Sequence, residues 1–521
     1  MRAMPDARTS RPDALPELGA VALRRLIGER QVSPLELMRA CIARIERFNP
    51  AVNALCATDF ERALQAARMA EDRVMRSEPL PALHGLPLGV KDLQATAGLL
   101  TTSGNVRLRG HVPTADVSLV ARLREAGAIV TAKTNTPDMG AGANTRNPVW
   151  GATGNPFDPT RNAGGSSGGS AAALATDLLP LCTGSDTGGS LRIPSALCGV
   201  VGLRPSPGLV ANDHRPLGWS AISVLGPMGR DVADTAFLLQ ASMGPHPMDP
   251  LSLGVQHAPV WPVPEMDLRG LRVAYTEDFG ACAVDPMIRR TVRQRIAAIE
   301  REVAVCEPLD WALHDGHRCF DVLRAESFVA AFEEVYRTRP ETLSPQVRAN
   351  VEMAARITLA DRAWAHLEQT RLLRQFQSAF ERYDLILAPV TPVSPFPWTQ
   401  PHAEVIDGQP QRHYYEWLSL TYLVTLATNP ALSLPCGRDE AGMPFGLQLV
   451  GPLHQDGRLL AMAAAFERRF AGDATLARPR PDFTALETPR PELRSIVTHP
   501  PLYPGEAGPP VETATDTRTA V

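Results

Sequence analysis

Two serine-glycine segments and one lysine constrain this chain most. Residues 164–170 have the sequence GGSSGGS, and residues 184–190 have the sequence GSDTGGS. Glycines allow a backbone to adopt positive φ and bring its N–H groups close to a bound atom. A lysine and two serines can form a base, a proton relay and a nucleophile without a histidine or a metal. Lys91 and the serines of these two segments are therefore the candidate reactive residues.

Each of these elements alone has an ordinary structural explanation. A Gly/Ser segment is most often a flexible loop, and a lysine after an apolar stretch is usually a solvated strand end. Ser166 lies 75 positions after Lys91, and Ser190 lies 24 positions after Ser166. The joint pattern therefore carries much more information than either segment does.

This pattern resembles the amidase signature family, whose members carry a Ser–cis-Ser–Lys triad in such segments. The linking segments 134–140 (TNTPDMG), 151–156 (GATGNP) and 193–199 (IPSALCG) fit the same family. The resemblance extends from about Leu18 to about Phe470. It implies an α/β fold with a single large domain, in which helices cover a twisted, mixed, mostly parallel β-sheet.

The resemblance assigns a role to each member of the triad. Ser190 ends a Gly-Gly turn after a strand, and it is the expected nucleophile that forms an acyl-enzyme. Ser166 is the expected relay, and the peptide bond that joins it to Gly165 is expected to be cis. Lys91 is the expected base, and burial behind an apolar strand would lower its pKa so that it is neutral when it acts.

The second segment also predicts an oxyanion hole. The backbone N–H groups expected to face the developing oxyanion are those of Thr187, Gly188, Gly189 and Ser190. Each such donor contributes roughly 3–4 kcal/mol to lowering the barrier. Asp186 and Arg192 flank this turn with opposite charges, and we expect them to hold it in place; a solvent-exposed ion pair is the alternative.

Composition excludes several other classes of protein. The chain has 52 Lys and Arg against 56 Asp and Glu, with a net charge of −4 and no basic cluster. A nucleic-acid surface would need such a cluster, so none is expected. No apolar run is long enough to cross a bilayer, and no secretory signal is visible. The sequence therefore predicts a cytoplasmic protein without a membrane partner.

The cysteines and histidines predict neither a metal site nor disulfides. Eight cysteines are spread along the chain without a C-x-x-C pair or a Cys/His zinc pattern. We expect them to be small buried hydrophobic residues in a reducing compartment. No metal and no cofactor is expected.

The sequence predicts one domain followed by an extension. Residues 1–475 are expected to form the domain, with the first ~15 residues flexible. Residues 476–521 contain many of the 48 prolines and are expected to be a Pro-rich arm or tail.

Local patterns predict elements around the candidate residues. Ser33 and Glu36 form a capping box before a helix that should end before Pro50. Further helices are predicted over residues 59–76, over 116–126 and from Ser170. The predicted strands are 86–93, 128–132, 178–183 and 383–389, followed by an antiparallel pair at 432–435 and 445–450.

The resemblance supports the reaction class better than it supports one substrate. The family cleaves aryl and acyl amides, and in some cases carbamates (urethanes) or esters, so the expected partner is a small amide or carbamate. We favour the bacterial acylamidase or urethanase type, as a monomer or homodimer. Specificity should come from residues 136–150, 205–225 and 310–380. The aromatic and apolar residues considered for a pocket, with core packing as the alternative, are Trp219, Met228, Phe328 and Trp364.

Two alternatives remain open at this point. A subunit of a tRNA-dependent amidotransferase, with glutaminase activity, shares the same signature, although the charge distribution argues weakly against it. In an α/β-hydrolase-like esterase, Ser166 would lie in a nucleophile elbow and a later histidine would be the base. That interpretation would leave Lys91 and the second serine segment unexplained.

Overall fold

The computed structural model of the chain describes residues 12–499. In this range thirteen α-helices and seventeen β-strands follow one another. The helices are α1 (Ala20–Gly28), α2 (Pro34–Val52), α3 (Phe60–Met75), α4 (Ser118–Glu125), α5 (Gly168–Ala175), α6 (Arg192–Cys198), α7 (Val232–Ser242), α8 (Pro286–Ile299), α9 (Asp315–Thr338), α10 (Pro345–Ala354), α11 (Leu359–Ala379), α12 (Ser419–Leu426) and α13 (Asp456–Ala471). The strands are β1 (Leu55–Thr58), β2 (Pro87–Lys91), β3 (Ile129–Thr134), β4 (Arg146–Asn147), β5 (Gly151–Ala152), β6 (Gly154–Asn155), β7 (Asp158–Asn162), β8 (Leu181–Asp186), β9 (Val201–Arg204), β10 (Val224–Gly229), β11 (Arg272–Tyr275), β12 (Val305–Pro308), β13 (Leu385–Pro389), β14 (Val405–Ile406), β15 (Gln409–Pro410), β16 (Ala431–Arg438) and β17 (Pro444–Val450).

A single mixed sheet of 11 strands forms the centre of the described chain, in the order β1-β3-β2-β8-β10-β9-β16-β17-β13-β11-β12. The predicted large mixed sheet is confirmed, but its parallel share is smaller than expected. Four pairings are parallel (β3–β2, β2–β8, β13–β11 and β11–β12), and the other six are antiparallel. One of the antiparallel pairs, β16–β17, is joined by a short turn, and a parallel pair would need a longer crossover.

The first long helix begins where its capping sequence predicts. The Ser33 N–H donates to Glu36 Oε2 at 2.9 Å, and the Ser33 hydroxyl accepts from the Leu35 N–H at 3.0 Å. The predicted end before Pro50 is wrong, because α2 continues to Val52. The last turn survives the missing proline N–H because the Asn53 N–H donates to the Asn49 carbonyl at 2.7 Å.

The strands that lead to the candidate residues are largely where the sequence predicts them. β2 and β3 are parallel neighbours with α4 between them along the chain, as the strand-helix-strand pattern predicted. The predicted antiparallel pair is also confirmed, as β16 and β17. β8 begins at Leu181 rather than at Leu178, because Asp177 adopts a φ of 55° and the Leu178 N–H bonds back to the Ala173 carbonyl.

The two ends of the chain extend beyond the residues that the structure describes, which exclude 1–11 and 500–521. From Pro12 the chain forms a short 3₁₀ helix whose Leu15 is buried. In the C-terminal segment Leu486 and Leu493 are buried, and Leu493 packs with Ala152 and Trp398. Within residues 12–499, no helix is both long and apolar enough to cross a membrane.

Three parallel neighbours, β3, β2 and β8, bring the candidate segments to one edge of the sheet. Their carboxyl ends lie at the same edge, which is where ligands bind in parallel sheets. α5 begins against this edge: a Cβ on Gly169 would lie 2.2 Å from the backbone nitrogen of Asn135, just after β3. This close approach places the first serine segment beside Lys91 and the turn after β8.

Candidate active site

Lys91 is the last residue of β2, and it is fully buried. Its Nζ lies 2.8 Å from the Ser166 Oγ, 2.9 Å from the Ser167 Oγ and 2.9 Å from the Ser185 Oγ. Burial lowers the pKa of Lys91 from 10.5 to about 7, against the opposing charge of Asp186. A neutral amine donates two hydrogen bonds and accepts one, so one of these three hydroxyls can donate its proton to Nζ.

Ser166 follows a cis peptide bond from Gly165. A Cβ on Gly165 would lie 2.9 Å from the carbonyl carbon of Ala143 and 3.2 Å from the backbone nitrogen of Asn144. Any other residue would therefore push this neighbouring segment away. The absence of a side chain lets the loop close over the Ser166 hydroxyl, which is hydrogen-bonded to Lys91.

Ser190 lies in the turn that follows β8. The Ser167 N–H donates to the Ser190 carbonyl at 3.2 Å, which joins the two serine segments directly. Ser190 is 8% exposed, whereas Ser166 is 2% exposed. In the described part of the chain, the Ser190 hydroxyl makes no hydrogen bond. It is more accessible than the Ser166 hydroxyl and is free to meet a reacting atom.

The backbone N–H groups predicted to form the oxyanion hole differ in their hydrogen-bond partners. The Gly189 N–H donates to the Asp186 Oδ1 at 2.9 Å, so it is already occupied. The N–H groups of Thr187, Gly188 and Ser190 donate to no group within residues 12–499. Asp186 captures the third N–H of the turn because its carboxylate lies inside the loop, a contact that the residue types alone did not predict.

Contacts from α12 also hold the turn. Gly189 has a φ of 119°, and a Cβ there would lie 2.2 Å from the Thr421 Oγ1. The Thr421 hydroxyl lies 2.6 Å from the Gly188 carbonyl. The Gly188 carbonyl is thus hydrogen-bonded to α12, which holds the turn in place.

Asp186 and Arg192 form a buried ion pair, not a solvent-exposed one. Arg192 Nε and Nη2 donate to the two carboxylate oxygens at 3.0 and 2.9 Å, and both side chains are fully buried. Arg204 Nη1 donates to the Asp186 carbonyl at 2.8 Å. Burial alone would raise the pKa of Asp186, but the charges of Arg192 and Arg204 hold that pKa well below its usual range. The carboxylate therefore stays ionised and braces the turn.

Replacing Asp186 with asparagine is expected to destabilise the fold. The change leaves Arg192 and Arg204 buried without their counter-charge, and breaking a buried pair in this way costs about 3–5 kcal/mol. Urea denaturation should show a loss of that size in the free energy of unfolding. Asp267→Asn, which breaks an exposed pair with Arg269, should leave the midpoint unchanged. Equal midpoints for the two variants would contradict the bracing role.

Ser167 and Ser185 complete the surroundings of the Lys91 amine, and the sequence analysis did not assign them a role there. The alternation of side chains between the two faces of β8 could have identified Ser185. Thr183 and Ser185 point to the same side of that strand, and the Lys91 N–H donates to the Thr183 Oγ1 at 3.0 Å. Ser167 had no comparable signal, because its position depends on how the loop closes.

A second buried lysine, Lys133, lies on β3. Its Nζ donates to the Gln94 carbonyl and, at 2.9 Å, to the Thr96 hydroxyl. Burial lowers the pKa of Lys133 to about 8, against the charge of Asp92. No serine of the two segments contacts its amine among the described residues, so Lys133 ties a loop to the sheet.

An apolar wall borders the turn after β8. A Cβ on Gly188 would lie 3.2 Å from the Phe320 Cζ and 3.8 Å from the Leu418 Cδ2. The Phe320 ring stacks on that of Tyr422 with centroids 4.2 Å apart. Buried aromatic and aliphatic groups therefore pack against this turn.

Two neighbouring cavities lie on the other side of the site. One, of about 540 Å³, is lined by Ala141, Gly142 and Tyr414 among others. The loop that supplies Ala141 and Gly142 lies next to Ser166, since a Cβ on Gly140 would lie 3.5 Å from the Ser166 Oγ. A second cavity, of about 840 Å³, shares Tyr414 with the first.

The four residues considered for a pocket have different surroundings. Phe328 packs in a cluster with Met139, in the loop near Ser166. Met228 is fully buried in the core, and Trp219 is 81% exposed. Trp364 carries the Arg318 guanidinium 4.3 Å from its ring centroid. Of these four, only Phe328 packs against the loop that borders the site.

The nucleophile-elbow alternative does not fit this geometry. The Ser166 hydroxyl is bonded to Lys91, and no histidine of the described residues bonds to Ser166 or Ser190. An elbow serine follows a strand of the central sheet, whereas β7, which precedes Ser166, pairs with β6 in a separate two-stranded sheet. Within residues 12–499 no group of three or more His, Cys, Asp or Glu is arranged to hold a metal ion.

A serine-lysine site at the carboxyl edge of a mixed α/β sheet defines a class of hydrolases. The Amidase family model matches residues 36–460, and the chain belongs to that family. The resemblance noted in the sequence is thereby confirmed, and the chemistry of this class is the hydrolysis of C–N bonds.

Similar proteins differ in what they act on. A glutamyl-tRNA(Gln) amidotransferase subunit from Acidothermus cellulolyticus is 33% identical over 488 residues, which cover 87% of this chain and 94% of the relative. The structure of a bacterial aryl acylamidase of the amidase signature family matches with a TM-score of 0.79 at 26% identity, covering 92% of this chain and 98% of that one. The structure of 6-aminohexanoate cyclic dimer hydrolase matches with a TM-score of 0.79 at 26% identity, covering 90% and 99%.

Proposed function

We propose that this enzyme hydrolyses carboxylic amides through an acyl-enzyme on Ser190, with Ser166 as the proton relay and Lys91 as the base. The observation that carries the proposal is the buried Lys91 amine, 2.8 Å from the Ser166 hydroxyl. A base must be deprotonated when it acts, and a pKa of about 7 makes the amine largely neutral at mildly alkaline pH.

Acylation begins with a proton shift along the three residues. Lys91 takes the proton of the Ser166 hydroxyl, and Ser166 takes that of Ser190. The Ser190 Oγ then attacks the amide carbonyl carbon and forms a tetrahedral oxyanion. The N–H groups of Thr187, Gly188 and Ser190, which donate to no group within residues 12–499, stabilise this charge, each by roughly 3–4 kcal/mol.

The same proton then allows the amine to leave. The Lys91 ammonium returns it through Ser166 to the amide nitrogen, the C–N bond breaks, and an amine departs while Ser190 remains as an ester. Water attacks this ester by the same relay, releasing the carboxylic acid and regenerating Ser190. The hydroxyls of Ser167 and Ser185 hold the lysine in place during both steps.

Phe320 and Leu418 are buried against Gly188, so the turn has apolar rather than charged neighbours, which favours an aryl or alkyl group beside the scissile bond. This chemistry is that of the acylamidase or urethanase type, in which carbamates and esters are further acyl donors. The substrate is a small molecule, and neither metal nor cofactor takes part in the proposed steps. The eight cysteines form no disulfide, which supports a reducing, cytoplasmic setting.

A panel of acyl donors tests this proposal. We expect anilides to be hydrolysed with a kcat/KM at least about tenfold above that of L-glutamine, because an apolar wall gives the glutamine ammonium no partner and each tenfold corresponds to about 1.4 kcal/mol. Alkyl amides, carbamates and esters complete the panel. Ammonia release from glutamine without anilide hydrolysis would contradict it.

The second candidate is a glutaminase-type component of an amidotransferase. The 33% identity to an amidotransferase subunit over 87% of this chain is the observation that favours it. Such a component passes ammonia to a partner, so it should co-purify with other chains from its own host. Glutamine hydrolysis that depends on those chains would favour this candidate, and an isolated chain that cleaves anilides would exclude it as the main function.

A further inference from the structure

One face of α9 carries a cation between two aromatic rings. Phe320, Arg324 and Phe328 are spaced by four residues, so they share a face of the helix. Phe320 borders the turn at Gly188, and Phe328 packs with Met139 in the loop near the first serine segment. Arg324 therefore lies between a residue that packs against the turn after β8 and a residue that packs against the loop near Ser166.

Arg324 is bonded only to neutral oxygens. Its Nε donates to the Asn350 Oδ1 at 2.8 Å and its Nη2 donates to the Tyr414 hydroxyl at 2.6 Å. Its guanidinium carbon lies 4.7 Å from the centroid of the Phe328 ring. Within residues 12–499, Arg324 pairs with no carboxylate and its Nη1 makes no hydrogen bond, although the residue is only 7% exposed.

Two other buried arginines of this chain are paired with carboxylates, whereas Arg295 donates to two backbone carbonyls. Arg230 Nη1 lies 2.6 Å from the Asp177 Oδ1, and Arg192 is paired with Asp186 in the same way. Burying a cation without a counter-charge is costly. A guanidinium with a free N–H group is also well suited to a planar carboxylate. Arg324 is therefore suited to bind an anionic group beside the site.

The nearest acidic residue on α9 does not fill this role. Asp321 accepts a hydrogen bond from the Tyr415 hydroxyl at 2.7 Å. The same carboxylate lies 3.6 Å from Arg412 and 3.7 Å from His413. Its charge thus faces Arg412 and His413, and it forms no ion pair with Arg324 among the described residues.

Tyr414 supplies a second unused donor. Its hydroxyl oxygen accepts from Arg324 and, at 2.7 Å, from the Asn350 Nδ2, so its own proton is left to donate. No acceptor for that proton lies in the part of the chain described. Tyr414 lines both cavities, and a Cβ on Gly142 would lie 4.0 Å from its ring.

We propose that Arg324 and Tyr414 bind a carboxylate at the far end of the amide substrate. The preferred substrates are then amides that carry an ionised carboxyl group at the end distant from the scissile bond. The Arg324 guanidinium supplies a charged donor and the Tyr414 hydroxyl a neutral one. This inference rests on the proposed amide hydrolysis and names its substrate class.

Matched substrate pairs test the inference. On the acyl side, glutaranilic acid and its homologues are compared with valeranilide; on the amine side, 4-acetamidobenzoate is compared with 4-acetamidotoluene. In at least one pair the carboxylate substrate should have a kcat/KM at least about tenfold higher than that of its neutral partner. The difference should lie mainly in a lower KM, and a tenfold change corresponds to one charged contact of about 1.4 kcal/mol.

Variants assign that preference to the two donors. Arg324→Gln should collapse the ratio between the paired substrates to near one, and Arg324→Lys should restore part of it. Tyr414→Phe, which keeps the ring, should reduce the ratio several-fold. Arg337→Gln, an exposed arginine on the same helix, is the matched control and should keep the wild-type ratio. Thermal melting establishes whether each variant is folded. If Arg324→Gln is not folded, the change in the ratio for Tyr414→Phe decides the inference.

The outcomes separate this inference from the proposed function. Hydrolysis of both neutral anilides that depends on Ser190, with no carboxylate advantage in either pair, overturns the inference and leaves the function standing. If no amide is hydrolysed, the function fails, and calorimetry with glutaranilate on the Ser190→Ala protein decides the inference. Binding tighter than that of valeranilide and weakened at least tenfold by Arg324→Gln supports it; equal binding overturns it.

Discussion

Ser190→Ala is expected to lower amide hydrolysis by roughly 10⁴- to 10⁶-fold, the loss seen when a catalytic serine nucleophile is removed. The acyl-enzyme cannot form without the Ser190 Oγ. The fold should remain intact, because this hydroxyl makes no hydrogen bond among the described residues. Initial rates on an anilide measure the loss, and thermal melting verifies the fold. Ser195→Ala, which removes a buried hydroxyl 2.8 Å from the Leu191 carbonyl, is the control and should keep most of the activity.

Covalent labelling identifies the nucleophile independently. A sulfonyl fluoride should modify the wild-type protein at Ser190, and peptide mapping should find the adduct in residues 184–192. Ser190→Ala should abolish the label. An adduct on Ser166 would instead make that serine the nucleophile, and the order of the proton relay would have to be reversed.

The second large effect concerns Lys91. Its amine must be neutral to accept a proton, and it is neutral above its pKa, so the rate should rise with pH through a midpoint near 7. Lys91→Met should lower kcat for amides by about 10²- to 10⁴-fold, the usual contribution of a general base. Esters should lose less, because an alkoxide leaves more readily than an amine and depends less on the returned proton.

A midpoint near 7 could also come from a histidine, so the variants decide its origin. Lys91→Met should remove the pH step together with most of the rate. His317→Gln, which alters a histidine that contacts Tyr422 behind Phe320, should keep the step. The serine-lysine mechanism would be contradicted if a histidine variant had no activity while Lys91→Met hydrolysed amides at near the wild-type rate.

The site shows how far sequence reasoning reaches. Lys91 was expected on a buried strand over residues 86–93, because an apolar run bounded by polar residues is a local signal; β2 carries it, as the last residue of a shorter strand. The contact between Lys91 and Ser166 was expected from the resemblance, and the structure has it at 2.8 Å. Their catalytic roles, and that of Ser190, remain predictions that the variants above test.

Other features depended on the packing of distant segments. The Gly189 N–H is bonded to Asp186 rather than left for an oxyanion, which follows from how Arg192 and Arg204 hold that carboxylate inside the turn. The antiparallel majority of the sheet follows from which strands pair across the chain, and strand spacing along the sequence carries little information about that.

The sequence by itself determined the family, the three candidate reactive residues and the strands that lead to them. These depend on local periodicity, on turn residues and on fixed spacings, all of which can be read along one dimension. Only the tertiary structure decided which N–H groups stay free, that Ser167 and Ser185 surround the Lys91 amine, and that Arg324 lies between Phe320 and Phe328 without a carboxylate. Hydrogen-bond partners and counter-charges are contacts between residues far apart in the chain, so they exist only once the helices have packed against the sheet.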